Sequence, residues 1–291
     1  MDLKTRKYYS KILLFGEYTI LNGSKAIAIP FERFFGQWKL SGDENASESL
    51  AHLKSYLECL EDRMVDHIDF DSWNLLNRDK LFFDSNIPMG YGAGSSGSVT
   101  AAVFDQFYTG KEQMSLEKLR ANLALIESCF HGASSGTDPL VSFINQPILL
   151  HQDQTIELID KDLSAINESL FLIDTKISRH TSPLVKWFKT QLETSKSFKN
   201  GVEDLSELNN AAIEAYVLQN VEALENTFLE ISNLQARLFE YLIPKGFKSY
   251  FQDPNIRIKL CGAGGGGFLL AYGSKNHLLE VFQADQVISL V

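Results

Sequence analysis

The stretch Pro88-Met-Gly-Tyr-Gly-Ala-Gly-Ser-Ser-Gly-Ser98 decides how this sequence is read. Gly90, Gly92 and Gly94 remove side chains, so backbone N–H groups there can approach an anion closely. Ser95 and Ser96 stand where a helix begins, and 98–108 reads as that helix. The first turn of a helix has unpaired N–H groups and the positive end of the helix dipole. Loop and helix start together make a phosphate site, with serine hydroxyls to add a hydrogen bond or a Mg²⁺ ligand. A plain turn ahead of a helix is the alternative reading.

Named phosphate motifs fit poorly here. Gly92-Ala-Gly-Ser-Ser-Gly97 satisfies G-x-G-x-x-G, but so does Gly262-Ala-Gly-Gly-Gly-Gly267. The dinucleotide fingerprint must follow a strand directly, and Ser85, Asn86 and Pro88 interrupt the approach from the strand expected at Leu81–Phe83. A P-loop needs G-x-x-x-x-G-K-[ST], which the chain lacks.

Two further stretches carry chemistry. In His131-Gly-Ala-Ser-Ser-Gly-Thr-Asp-Pro-Leu140, the run Gly132 to Gly136 matches the G-x-S-x-G elbow of hydrolases. That elbow follows a strand, whereas a helix is expected here, so a Ser134 nucleophile is a remote reading. Asp138 is the better candidate, as a carboxylate able to take a proton from a substrate hydroxyl; a turn aspartate before Pro139 is the alternative. In Lys259-Leu-Cys-Gly-Ala-Gly-Gly-Gly-Gly267, five glycines in six positions cost much conformational entropy. A hairpin needs only one or two. Something must therefore approach this backbone closely.

Working outward, Lys11–Phe15, Ala26–Ile29, Leu81–Phe83, Pro147–Leu150, Thr155–Ile159, Leu170–Ile173, 256–260 and Phe268–Ala271 read as strands. Leu50, Leu53, Leu57 and Leu60 mark one helix face. Ser115 is placed to cap a helix carrying Leu116, Leu119, Leu123 and Ile126, with Gly132 as its stop. Two long amphipathic helices follow, one with Val202, Leu205, Leu208 and Ala212, the other running from Leu224 to Leu242 and closed by Pro244. Strands and helices mix without strict alternation, which favours α+β over a doubly wound sheet. A length of 291 residues allows two domains, and the expected boundary lies near residue 160.

The net charge of −10 would repel nucleic acid and anionic lipid, so neither is an expected partner. Any anion site must be built locally. Three cysteines, Cys59, Cys129 and Cys261, are too few and too scattered for a disulfide framework. No CxxC or His/Cys cluster suggests zinc. A reducing cytoplasm fits. No secretory stretch or membrane-length apolar run is evident.

The glycine-rich segments, in this order, resemble the GHMP kinase superfamily, and most closely its mevalonate kinases. Lys11-Ile-Leu-Leu-Phe-Gly-Glu-Tyr18 matches the first family motif, Pro88 to Ser98 the second and Lys259 to Gly267 the third. Mevalonate kinases carry G-E-x-x-x-H-G-x-P-S-G-x-D; here Glu127, His131, Gly132, Ser135, Gly136 and Asp138 fall in place. Asp174-Thr-Lys-Ile-Ser-Arg-His-Thr181 resembles the family's N-T-K-x-x-R-x-T. Departures exist. Tyr18 stands where mevalonate kinases have His, and G-E-Y with Gly94–Val99 is more typical of phosphomevalonate kinases.

The resemblance implies a two-domain α+β architecture. A nucleotide-binding N-terminal domain (1–160) is followed by a ferredoxin-like C-terminal domain (161–291), with the active site in the cleft between them. It implies ATP and Mg²⁺ with a small hydroxy-acid acceptor, and leaves a homodimer open. Gly90, Gly92, Ala93, Gly94, Ser95 and Ser96 would hold the nucleotide, and Ser96 and Glu127 the metal. Asp138 and Lys11 would be catalytic. Glu17, Tyr18, His131, Arg179, Thr181, Gly264 and Gly265 would lie at the substrate. A phosphomevalonate or sugar kinase of the same superfamily is the alternative, and a silent nucleotide-binding regulator a remote one.

Overall fold

The computed structural model describes residues 2–40, 48–60 and 67–291. In chain order, β1 is Tyr8–Phe15, β2 Ala26–Leu40, α1 Glu48–Glu58, α2 Phe70–Arg78, β3 Leu81–Ser85, α3 Ser95–Phe107, α4 Leu116–His131 and α5 Thr137–Ile144. Next come β4 Ile148–Leu150, β5 Ile156–Leu158, α6 Ser164–Asn167, β6 Leu170–Asp174, α7 Thr181–Thr194, α8 Lys196–Val217 and α9 Val221–Leu238. The chain ends with α10 Lys248–Gln252, β7 Arg257–Leu260, β8 Phe268–Tyr272, α11 Lys275–Val281 and β9 Val287–Ser289. The class is α+β, as the unalternating pattern predicted. Among the described residues no helix is long and apolar enough to cross a membrane.

The chain forms two compact units. The first contains Met1–Lys11, Pro30–Pro88 and Ala93–Gln146; the second contains Ile12–Ile29, Met89–Gly92 and Pro147–Val291. The division falls inside β1 and β2.

The first unit is organised around α3, which is buried from Thr100 through Phe107. Alanines at 101 and 102 keep this helix narrow, and α4 and α5 pack against it. Trp73 of α2 stacks on Phe107 with ring centroids 4.5 Å apart, and Trp38 of β2 meets the same ring edge-on. Gly36–Leu40 pairs antiparallel with β3. Ser115 caps α4 by accepting from the Lys118 N–H, and Gly132 ends that helix in the left-handed region, as the sequence predicted.

In the second unit, β6 to β9 form an antiparallel sheet of order β7-β8-β6-β9. That order is the ferredoxin-like one, with α7 to α10 inserted between β6 and β7 and α11 between β8 and β9. α8 and α9 pack against each other, and α9 lies on β7. Ala26–Ala28 pairs with β4, and β4 with β5.

The structure departs from the sequence reading at several elements. α9 ends at Leu238 rather than reaching Pro244. Residues 239–243 close into tight turns, with Leu242 and Ile243 N–H groups bonded to the Phe239 carbonyl, and the Leu242 carbonyl accepts from Gly265 N–H at 2.6 Å. A continuing helix would have spent that carbonyl on itself. α2, α5, α6, α7, α10, α11 and β9 were not anticipated. α2 and α7 have sparse apolar faces: α2 buries only Trp73 and Leu76, and α7 only Phe188.

Candidate active site

Helix α3 begins at Ser95, where the sequence placed a helix start, because Gly94 takes φ 77° and turns the chain into the helix. That left-handed conformation favours glycine. The preceding residue, Ala93, accepts from the Lys11 N–H at 2.9 Å, which lays the loop on β1. Ser95, Ser96 and Gly97 are the first three helical residues, and their N–H groups have no acceptor within the helix.

Lys11 and Asp138 meet at the same place. The Lys11 ammonium lies 2.7 Å from Asp138 Oδ1, with the lysine side chain 9% and the aspartate 32% exposed. Asp138 is the second residue of α5, so its carboxylate also sits near a helix start, where negative charge is favoured. Gly97 makes this approach feasible. A Cβ added there would lie 2.8 Å from the Asp138 carbonyl carbon and from Pro139 N, so only glycine lets α3 and α5 touch.

Glu127, near the end of α4, completes the group. It is buried, accepts from Ser96 Oγ at 2.9 Å, and also accepts from Ser134 Oγ. His131 Nε2 lies 3.0 Å from Ser96 Oγ. Burial, then the nearby charge of Asp138, pushes the Glu127 carboxyl up to about 7; the two hydroxyls and Lys11 pull the other way. Among the described residues no cluster of three or more His, Cys, Asp or Glu side chains forms a metal cage. Ser96 and Glu127 instead offer an all-oxygen pair, which suits a hard cation that keeps waters and phosphate oxygens as its other ligands.

The helix leading into Gly132 removes the hydrolase reading, since a nucleophile elbow needs a strand there. Ser134 is committed to Glu127 instead.

The remaining expected residues lie in the second unit. Gly92 makes room for a guanidinium: a Cβ there would come within 2.3 Å of Arg179 Nη2. Arg179 also donates through Nη1 to Thr181 Oγ1 and through its backbone N–H to the Gly90 carbonyl. Gly264 and Gly265 lie against Leu242 and Leu184, and Gly267 against Tyr91, with no room for side chains.

Glu17 and Tyr18 grip this third glycine run. Glu17 is 2% exposed, and its carboxylate is 2.5 Å from the Lys259 ammonium, itself fully buried. Gln235 donates to Glu17 and accepts from Leu260 N–H. The Tyr18 hydroxyl donates to the Ala263 carbonyl at 2.7 Å. Sequence reasoning missed Lys259 and Gln235 as partners. A lysine beside Ile258 and Leu260 gives no sign that both faces of its strand are covered.

Residues 54–146 match the GHMP kinases N terminal domain. No curated protein sequence matches the chain. Solved structures do. The Methanococcus jannaschii mevalonate kinase superposes with a TM-score of 0.65 at 16% identity, covering 98% of this chain and 96% of that one. The Streptococcus pneumoniae phosphomevalonate kinase bound to phosphomevalonate and AMPPNP gives 0.66 at 17% identity, covering 99% and 98%. The Lactococcus lactis galactokinase bound to galactose gives 0.58 at 15% identity, covering 94% and 86%. Such identities establish a shared fold and do not choose among acceptors. Residues 54–146 thus carry the N-terminal domain signature of the GHMP kinases, and the chain shares the fold of these solved structures over nearly its whole length.

Proposed function

We propose that the chain is a small-molecule kinase of the GHMP type and transfers the γ-phosphoryl group of ATP to the 5-hydroxyl of mevalonate. The observation that carries the chemistry is the Lys11–Asp138 ion pair beside the start of α3. Phosphoryl transfer asks for positioning and charge neutralisation more than for covalent chemistry. The free N–H groups and hydroxyls of Ser95 and Ser96 bind phosphate oxygens. Asp138 accepts the proton of the substrate hydroxyl or orients it. Lys11 holds the Asp138 carboxylate in place and offsets charge that develops on the phosphoryl group. Ser96 and Glu127 are the residues that would hold Mg²⁺, which when bound neutralises phosphate charge. Burial and the charge of Asp138 push the Glu127 carboxyl up to about 7, and a cation held there would favour its ionised form.

Mevalonate is favoured by the Glu127-to-Asp138 stretch and by Arg179 with Thr181, whose guanidinium fork suits a carboxylate. Phosphomevalonate is the second reading, favoured by Tyr18. Against it, the Tyr18 hydroxyl is already engaged by Ala263. A coupled ADP-release assay on mevalonate, phosphomevalonate and galactose tests the choice. Mevalonate should be the best acceptor, and Arg179→Ala should raise its KM more than that of ATP. Faster turnover of phosphomevalonate or galactose would overturn the mevalonate reading.

A further inference from the structure

Glu127 sits between two hydroxyls, one on each oxygen. Ser96 Oγ donates to Oε1 at 2.9 Å and Ser134 Oγ donates to Oε2. The second donor comes from the loop that follows α4, between Gly132 and Gly136.

The Ser134 hydroxyl is itself held in place. It accepts from the Gly136 backbone N–H at 2.9 Å. An N–H can only donate, so the hydroxyl proton is left to point at Glu127. Gly136 is pinned in turn. Its φ is 72°, and a Cβ there would come within 2.3 Å of the Arg120 carbonyl oxygen on α4, the helix that carries Glu127. Backbone, hydroxyl and carboxylate thus form one short chain from α4 back to α4.

We propose that Ser134 is a positioning residue that orients the Glu127 carboxylate for a divalent cation. This rests on the reading of Glu127 as a cation ligand. Groups that orient a ligand without touching the metal typically contribute about 10–100-fold to metal affinity. Oxygen donors of this kind also accept Mn²⁺, which provides a probe that needs no turnover.

The experiment is Mn²⁺ binding to the full chain in the presence of a non-hydrolysable ATP analogue, followed by electron paramagnetic resonance. Ser134→Ala and Ser134→Pro should each weaken Mn²⁺ binding about 10-fold. Ser134→Thr, which keeps the hydroxyl, should stay within about threefold of the parent. Circular dichroism melts of each variant report whether the fold is kept, and the threonine variant carries the comparison if proline disturbs the loop. Glu127→Gln separates the two readings. If Glu127→Gln loses Mn²⁺ while Ser134→Ala binds it like the parent, the role of Ser134 is overturned and Glu127 stands. If Glu127→Gln also binds like the parent, the ligand reading falls and Ser134 with it.

Discussion

Asp138 is the residue on which the proposed chemistry depends most, because its position answers to three others. Gly97 lets its backbone approach α3, Lys11 holds its carboxylate, and Glu127 adds a second negative charge nearby. Asp138→Asn keeps the shape and removes the proton acceptor. A loss of about 10²–10⁴-fold in kcat is expected, the range of a general acid–base group. The dissociation constant of an ATP analogue should change less than about threefold, or ~0.7 kcal/mol. Near-parental turnover would remove Asp138 from the mechanism.

Glu127 makes a pH prediction of definite sign. Its folded value is raised to about 7 from an ordinary carboxyl value of 4.5. Between those values the folded chain holds a proton that the unfolded chain has released, so this group's contribution to stability falls as pH rises through that window. A cation must displace the same proton. Apparent Mg²⁺ affinity should therefore drop as pH falls below about 7, with a slope approaching about one proton, and level off above it. Mg²⁺ titrations of activity between pH 5.5 and 8.5 measure this, and a flat profile would show that Glu127 does not meet the cation.

At the scale of elements, the third glycine run is the informative case. Consecutive residues Glu17 and Tyr18 reach the same segment, one through Lys259 and the other through Ala263. Tyr18 takes φ 64° to allow it, a conformation costly for a bulky residue. Burial pushes the Glu17 carboxyl up, and Lys259 opposes it. Removing one partner of a buried pair typically costs about 3–5 kcal/mol, since the other charge is left stranded. Lys259→Met should lower stability by that amount in urea unfolding. The double variant Glu17→Gln with Lys259→Met should lose less than the sum of the singles, because no stranded charge remains. A Lys259→Met midpoint equal to the parent's would mean that the pair contributes nothing. The glycine run itself was legible in the sequence as a backbone that something must approach. That its neighbours are Leu242, Leu184, Ile177 and Tyr91 was not, because those side chains come from segments with no shared pattern.

For the whole molecule, the proposed function predicts a linkage between nucleotide and stability. An ATP analogue with Mg²⁺ at about a hundred times its dissociation constant adds ~2.7 kcal/mol to whichever unit binds it. Thermal unfolding should move up by several degrees, and the rise should shrink when a chelator removes the cation. An unmoved transition with both present would count against nucleotide binding.

The sequence by itself determined the α+β class, the cap and stop of α4 and the glycine segments, because these follow from local spacing and backbone freedom; Lys11 and Asp138 were singled out together only through the resemblance to the GHMP kinases. Only the tertiary structure decided that α9 stops at Leu238, that Lys259 is buried against Glu17, and that Ser134 belongs to Glu127. Each of those depends on a group far away in the chain, or across a turn, claiming a carbonyl, a carboxylate or a hydroxyl. Periodicity records which face of an element is apolar, whereas a hydrogen bond between segments is recorded only in three dimensions.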